Sequence, residues 1–347
     1  MLCPGGGMKI ILEYANRLVK DGHDVTIAYP ATLNWKKRDL TYKLKSIYHY
    51  FLHEIKGWKC NRWFKLDPRV KEVHTISLNY RDIPKSDIYI ATEARTAPYV
   101  ASYPVDKSRK FYFIQGYENW VMSDREVRST YHLELNKITI ADWLKKIISE
   151  EENQDCTVVK NSFDFEYFQA TIPIEQRNPL VLGTLYNTAE LKDFKTTYKA
   201  IEIVHDRYPS VTVLVFGTTE RPEHLPEYYK YYQSPNKVRH NEIYNEAAIF
   251  IGSSKLEGWG LTIGEAMICG ASVACTDIPG YREMSIPEET ALVSPIEDYE
   301  ALAENIIRLI ENDQLRYSIA KTGNKFIQQF KWENAFPKFK KALRLND

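Results

Sequence analysis

The chain has 347 residues, 46 Lys plus Arg against 46 Asp plus Glu, 44% hydrophobic residues and five cysteines. That length predicts two domains of roughly 150 residues each, and the balanced charge excludes the basic footprint of a nucleic-acid binder. The odd cysteine count without a C-x-x-C pair argues against a disulfide framework or a zinc site, and no run reaches the ~18 apolar residues of a spanning helix. The start has neither the charged beginning nor the apolar stretch of a signal peptide, so a cytoplasmic protein in a reducing compartment is expected.

In chain order, Gly5-Gly6-Gly7 lead into Ile10, Ile11, Tyr14 and Leu18 at helical spacing, with a stop at Gly22-His23. This reads as a glycine loop feeding a helix. Continuous apolar runs then predict buried strands at Val25–Tyr29, Ile88–Ala91, Lys110–Ile114 and Thr157–Val159. Between the first two, residues 36–66 carry nine Lys or Arg against Asp39 and Glu54. Leu40, Leu44, Ile47, Phe51 and Ile55 recur there at helical spacing, giving an amphipathic helix: either a membrane-surface dock or a surface helix packed on its own domain. Residues 161–179, rich in Asn, Asp, Glu and Pro, read as the linker between an N-terminal domain (1–160) and a C-terminal one (180–330). The second half repeats the scheme, with strands at Leu180–Gly183, Val211–Phe216, Ala248–Ile251 and Ala271–Cys275, and helices at Leu191–Arg207 and Tyr299–Glu311. A closing helix, Trp332–Leu343, lies within the tail 331–347. Strands alternating with helices define an α/β class with parallel sheets, whose ligands bind beyond the carboxyl ends of the strands.

The most informative segment starts at Ala248: AIFIGSSKLEGWGLTIGEAMICGASVAC. Gly258 and Gly260 let backbone amides approach a ligand, and the helix opening near Leu261 adds free N–H groups and a positive dipole end, which together suit a pyrophosphate. Glu265, one turn into that helix, is placed to reach a ribose diol, and Glu257 opens the loop. Spacing alone proves little, because Glu118/Glu126, Glu126/Glu134 and Glu289/Glu297 are also eight apart.

The string Glu257-Gly258-Trp259-Gly260-Leu261, Glu265-Ala266-Met267, Gly270 and Val273 closely resembles the signature of the family 4, or group 1, glycosyltransferases. That resemblance implies a retaining enzyme of the GT-B fold: two Rossmann-like domains facing across a cleft, with a nucleoside-diphosphate-sugar between them. It implies a catalytic place for Glu257 beside the donor sugar and a ribose-binding one for Glu265, with Gly258, Trp259, Gly260 and Leu261 at the donor; Trp259 stands where the family often has Phe. Gly6 and Gly7 resemble the family's first glycine loop. Only Met1-Leu2-Cys3 precede it, so the first strand of the N-terminal domain reads as truncated. Gly183-Thr184-Leu185 with Lys192 resembles a diphosphate clamp in which Thr184 replaces the arginine and Lys192 remains. Gln115, at the end of a strand, matches a polar residue that approaches the donor sugar, although a packed aromatic loop accounts for that segment too. The tail resembles a closing helix that packs back on the N-terminal domain.

The resulting expectation is a metal-independent hexosyltransferase without a cofactor, acting on a nucleotide-sugar and a saccharide or lipid-linked acceptor in polysaccharide or glycoconjugate synthesis. Residues 36–66 would supply peripheral contact at the inner face of the membrane, and no nucleic acid is involved. The missing strand and arginine motivate a second reading, a catalytically silent nucleotide-sugar-binding or partner subunit.

Overall fold

A strand covered by helices on both faces needs no polar alternation, which is why this chain builds its sheets from short unbroken apolar runs. The computed structural model describes residues 5–33, 40, 41, 44, 45, 47, 48, 50, 51 and 63–345. The chain divides into two units, residues 1–160 with 336–347, and residues 161–335.

The first unit contains α1 (Gly6–Lys20), β1 (Thr26–Pro30), β2 (Lys71–Thr75), β3 (Tyr89–Ala91), α2 (Ala97–Ala101), β4 (Lys110–Ile114), α3 (Asp124–Tyr131), β5 (Asn136–Thr139), α4 (Asp142–Ser149) and β6 (Thr157–Val158). β1 and β2 form a parallel pair, and β3-β4-β5-β6 a parallel sheet. All five residues of β4 are buried. Lys110 tolerates this because its ammonium donates to the Ala101 carbonyl at 2.8 Å. The chain's last segment also packs here: the Phe339 ring stacks on Tyr14 with centroids 3.9 Å apart, and Lys340 Nζ lies 2.8 Å from Asp21.

The second unit contains β7 (Val181–Leu185), α5 (Phe194–Arg207), β8 (Thr212–Gly217), β9 (Tyr229–Gln233), α6 (Lys237–Glu246), β10 (Ile249–Gly252), α7 (Leu261–Ile268), β11 (Ser272–Thr276), α8 (Pro279–Arg282), β12 (Leu292–Ser294), α9 (Tyr299–Glu311), α10 (Asp313–Ile327) and the start of α11 (Trp332–Ala342). Its six strands are parallel in the order β12-β11-β10-β7-β8-β9. The order turns back on itself between β7 and β10, which puts the topological switch point at the carboxyl ends of those two strands.

Two sequence expectations change. The helix expected from Leu191 starts at Phe194, because Asp193 takes a left-handed φ of 43° and leaves Glu190–Lys192 as a single 3-10 turn. Gly6 and Gly7, expected in a loop, form the first turn of α1, with Gly5 as its extended cap. Strands β2, β5, β9 and β12 escape the sequence reading because Lys, Glu, Asn and Gln interrupt them or they are only three residues long. Of residues 36–66, Ile55 and most of the basic side chains lie outside the described residues. Those described between 40 and 51 are helical, with Leu40, Leu44, Tyr48 and Phe51 exposed. Among the described residues no helix is long and apolar enough to cross a membrane.

Candidate functional site

The loops after β7 and β10 are stitched together at the topological switch of the second unit. Ser253 Oγ donates to the Asp193 carbonyl at 2.7 Å and receives Thr197 Oγ1 at 2.7 Å, while the Lys255 N–H donates to the Leu191 carbonyl at 2.8 Å. These bonds fix the 3-10 turn that carries Lys192, and its ammonium reaches the Glu257 carboxylate as an ion pair. The Glu257 side chain is only 14% exposed and that of Lys192 30%. A carboxylate that dry needs its charge matched, and the lysine does so from a loop 65 residues away.

Further groups hold Glu257. Ser254 Oγ donates to its Oε1 at 2.9 Å, and the buried Tyr281 hydroxyl donates to Ser254 Oγ at 3.0 Å. Burial pushes the Tyr281 phenol far above its ordinary pKa, and the Glu257 charge adds to that, so it stays a donor. The first turn of α8 packs on the loop backbone so closely that a Cβ on Gly280 would lie 2.2 Å from the Glu257 carbonyl oxygen. Neither Ser254, Gly280 nor Tyr281 stands out in the sequence; the only signal was the polar Ser253-Ser254 pair directly after a strand.

Helix α7 begins at this loop. Gly260 caps it with φ 94° and no side-chain hydrogen bond, and a Cβ there would come within 2.6 Å of the Tyr281 ring. Its first-turn amides therefore carry no side-chain cap, the condition under which a helix start receives an anion. Trp259, between Gly258 and Gly260, points inward: it is 2% exposed and meets Phe330 edge-on with centroids 5.1 Å apart. It supplies packing, and the loop backbone supplies the polar surface. Leu261 opens the helix.

Glu265 is 5% exposed, not solvated, and its Oε2 accepts the Tyr244 hydroxyl at 2.9 Å. Around it stand Phe168, Phe216, His240 and Phe250, which pack on Tyr244. Burial, with the nearby Glu265 charge, holds the Tyr244 phenol protonated. Thr184, the residue in the place of the expected arginine, is buried and donates to the Ile251 carbonyl at 3.1 Å, tying β7 to β10.

In the first unit the structure brings together Gly7 and Gln115: a Cβ on the glycine would lie 3.6 Å from the Gln115 amide. Gln115 Oε1 is buried without a hydrogen-bond partner. Three residues on, a feature absent from the sequence reading appears. Glu118 is 8% exposed and its Oε2 accepts the Ala94 N–H, from the loop after β3, at 2.6 Å. Burial pushes its pKa up to about 7, with the Glu93 charge adding and the Ala94 N–H and Arg95 opposing. Among the described residues no group of three His, Cys, Asp or Glu side chains is placed to hold a metal ion.

Parallel α/β units, with a strand, glycine loop and helix at a topological switch, are the architecture of the GT-B fold. Residues 176–312 match the family described as Glycosyl transferases group 1. The chain is 21% identical over 352 residues to a phosphatidyl-myo-inositol mannosyltransferase of Mycolicibacterium smegmatis, covering 95% of this chain and 87% of that one. It is 26% identical over 193 residues to the capsular polysaccharide biosynthesis glycosyltransferase CapM of Staphylococcus aureus, about half of each chain. The structure of Anabaena Alr3699/HepE in complex with UDP-glucose superposes with a TM-score of 0.72 at 15% identity, over 99% of this chain and 96% of that one. The chain is thus similar to group 1 glycosyltransferases, with the family match spanning residues 176–312.

Proposed function

We propose that this glycosyltransferase moves a sugar from a nucleoside-diphosphate-sugar to an acceptor hydroxyl with retention of anomeric configuration, in polysaccharide or glycoconjugate synthesis. The observation that carries this reading is the meeting of Lys192, Glu257 and the uncapped start of α7 at one switch point. The diphosphate would lie on the Gly258–Leu261 amides, with Lys192 neutralising the charge that grows as the sugar leaves; such preorganised donors need no reorientation during the reaction. In this scheme Glu257, held by Ser254 and Lys192, faces the donor sugar, and Glu265 takes the ribose hydroxyls while Tyr244 fixes its carboxylate. Lys192 and the helix supply the positive charge, so the reading requires no metal ion. Gln115, beside Gly7 at the start of α1, is a candidate polar contact for a sugar. A UDP-glucose complex of a protein with the same fold supports a nucleotide-sugar donor, and the mannosyltransferase and capsular relatives support a lipid-linked or saccharide acceptor. The exposed Leu40, Leu44, Tyr48 and Phe51 favour peripheral membrane contact through residues 36–66.

Calorimetric titration with UDP, GDP, ADP and dTDP tests the donor half. Selective binding of one nucleotide, lost in Lys192→Ala, is expected. Absence of binding to all four would remove the proposal. With the donor known, NMR of the product anomeric proton decides between retention and inversion.

A further inference from the structure

The loop that leaves β4 is built unlike an ordinary surface connection. Its base is fastened twice: Glu118 Oε2 holds the Ala94 N–H at 2.6 Å, and the Tyr117 hydroxyl donates to Asp124 at the start of α3. The Val121 N–H then bonds to the Glu118 carbonyl at 3.2 Å, closing a turn over Glu118-Asn119-Trp120-Val121. On this fixed turn Trp120 is 53% exposed. Trp259, by contrast, is driven inside its unit. An indole held out by a rigid base has little conformational freedom left to lose when something lies against it.

Beside the turn runs the loop after β3, also internally braced: Thr96 Oγ1 accepts the N–H groups of Thr92 and Glu93, each at 3.2 Å. It offers a paired carboxylate and guanidinium, Glu93 and Arg95, with side chains 33% and 40% exposed. Both loops lie at the carboxyl ends of neighbouring parallel strands, the edge at which such sheets take ligands.

We propose that Trp120 is the stacking platform of the acceptor site and that the acceptor is a saccharide, its pyranose ring lying on the indole with hydroxyls toward Glu93 and Arg95. This deepens the glycosyltransferase reading and rests on it. A pyranose has an apolar C–H face and a rim of hydroxyls, so it needs both an aromatic surface and planar hydrogen-bonding side chains. A lipid bilayer needs something else. Anionic headgroups favour an aromatic residue flanked by cations, whereas α3, which begins four residues after Trp120, opens with Asp124 and Glu126 in its first turn.

The test uses the full chain, Trp120→Ala and Trp120→Phe, with methyl and p-nitrophenyl pyranosides of glucose, galactose, mannose and N-acetylglucosamine as probes. Binding is read by saturation-transfer NMR and by quenching of tryptophan fluorescence. At least one pyranoside should bind wild type, weaken at least fivefold in Trp120→Ala and recover partly in Trp120→Phe, while nucleotide affinity stays unchanged in both variants. Equal pyranoside binding by wild type and Trp120→Ala, or none by wild type, overturns the proposal. So does co-sedimentation with phosphatidylglycerol vesicles that is lost in Trp120→Ala while pyranoside binding persists. Nucleotide titration of wild type is read separately: its failure would strike the donor reading, whereas loss of pyranoside binding alone strikes the platform.

Discussion

Two carboxylates stand just past the ends of parallel strands in the two units, and their surroundings differ in one respect that matters. Glu257, after β10, is met by a lysine ammonium and a serine hydroxyl. Glu118, after β4, is as deeply placed but has a single backbone N–H as its partner at hydrogen-bonding distance, with the Arg95 guanidinium engaged by Glu93. The first sits in an ion pair; the second is pushed up to about 7 and shares its proton with the solvent at neutral pH. A buried acid becomes a fixed electrostatic element or a titrating one according to whether a cation is delivered to it, and here delivery depends on the stitching of two loops at the switch point.

The comparison breaks most sharply at Glu257. Glu257→Ala is expected to lower turnover about 10²- to 10³-fold with little change in nucleotide affinity; turnover within a factor of three of wild type would end its assignment. At Glu118 the effect falls on stability. Its folded pKa, about 7, lies above the ordinary 4.5, so the unfolded chain releases the proton first. The first unit therefore loses stability as pH rises from about 4.5 to 7 and stays level above, by about 3 kcal/mol at most. Glu118→Gln keeps an acceptor for Ala94 and should flatten that slope and stabilise the protein at pH 8. Urea unfolding at pH 5 and pH 8 measures this, and an unaltered slope would show that another group is responsible.

Glu265→Ala should weaken nucleoside-diphosphate binding about tenfold and also destabilise the second unit by about 1 kcal/mol or more, since it leaves the Tyr244 hydroxyl buried without its acceptor. Glu265→Gln preserves that acceptor and separates the two effects; if Ala and Gln bind nucleotide as tightly as wild type, the ribose role is wrong. The smallest change is expected for Trp259→Phe. Its indole N–H is buried without a partner and its ring only packs, so stability and nucleotide affinity should shift by less than about 1.5 kcal/mol. A large loss of affinity there would mean that the ring, not the backbone, faces the donor.

The α/β class was legible because apolar runs such as Lys110–Ile114 and Ile249–Gly252 are continuous, and the glycine loop was legible because close backbone approach leaves few residue choices, as at Gly260. The contacts that build the site were not. No spacing links Lys192 to Glu257, and nothing in Pro279-Gly280-Tyr281 announces that it braces the Glu257 loop. Glu265 illustrates the limit from the other side. Its place one turn into a helix could be read from the sequence, but whether it faced water or Tyr244 could not.

The sequence by itself determined the strand and helix alternation, the glycine-opened helix α7 and the family signature, because these are set by periodicity and by local backbone demands within a few tens of residues. Only the tertiary structure decided which charges meet. Pairing Lys192 with Glu257, burying Glu118 on Ala94 and sending Trp259 inward while Trp120 stays out all depend on strand order, which brings together loops far apart in the chain and sets how much water each side chain keeps.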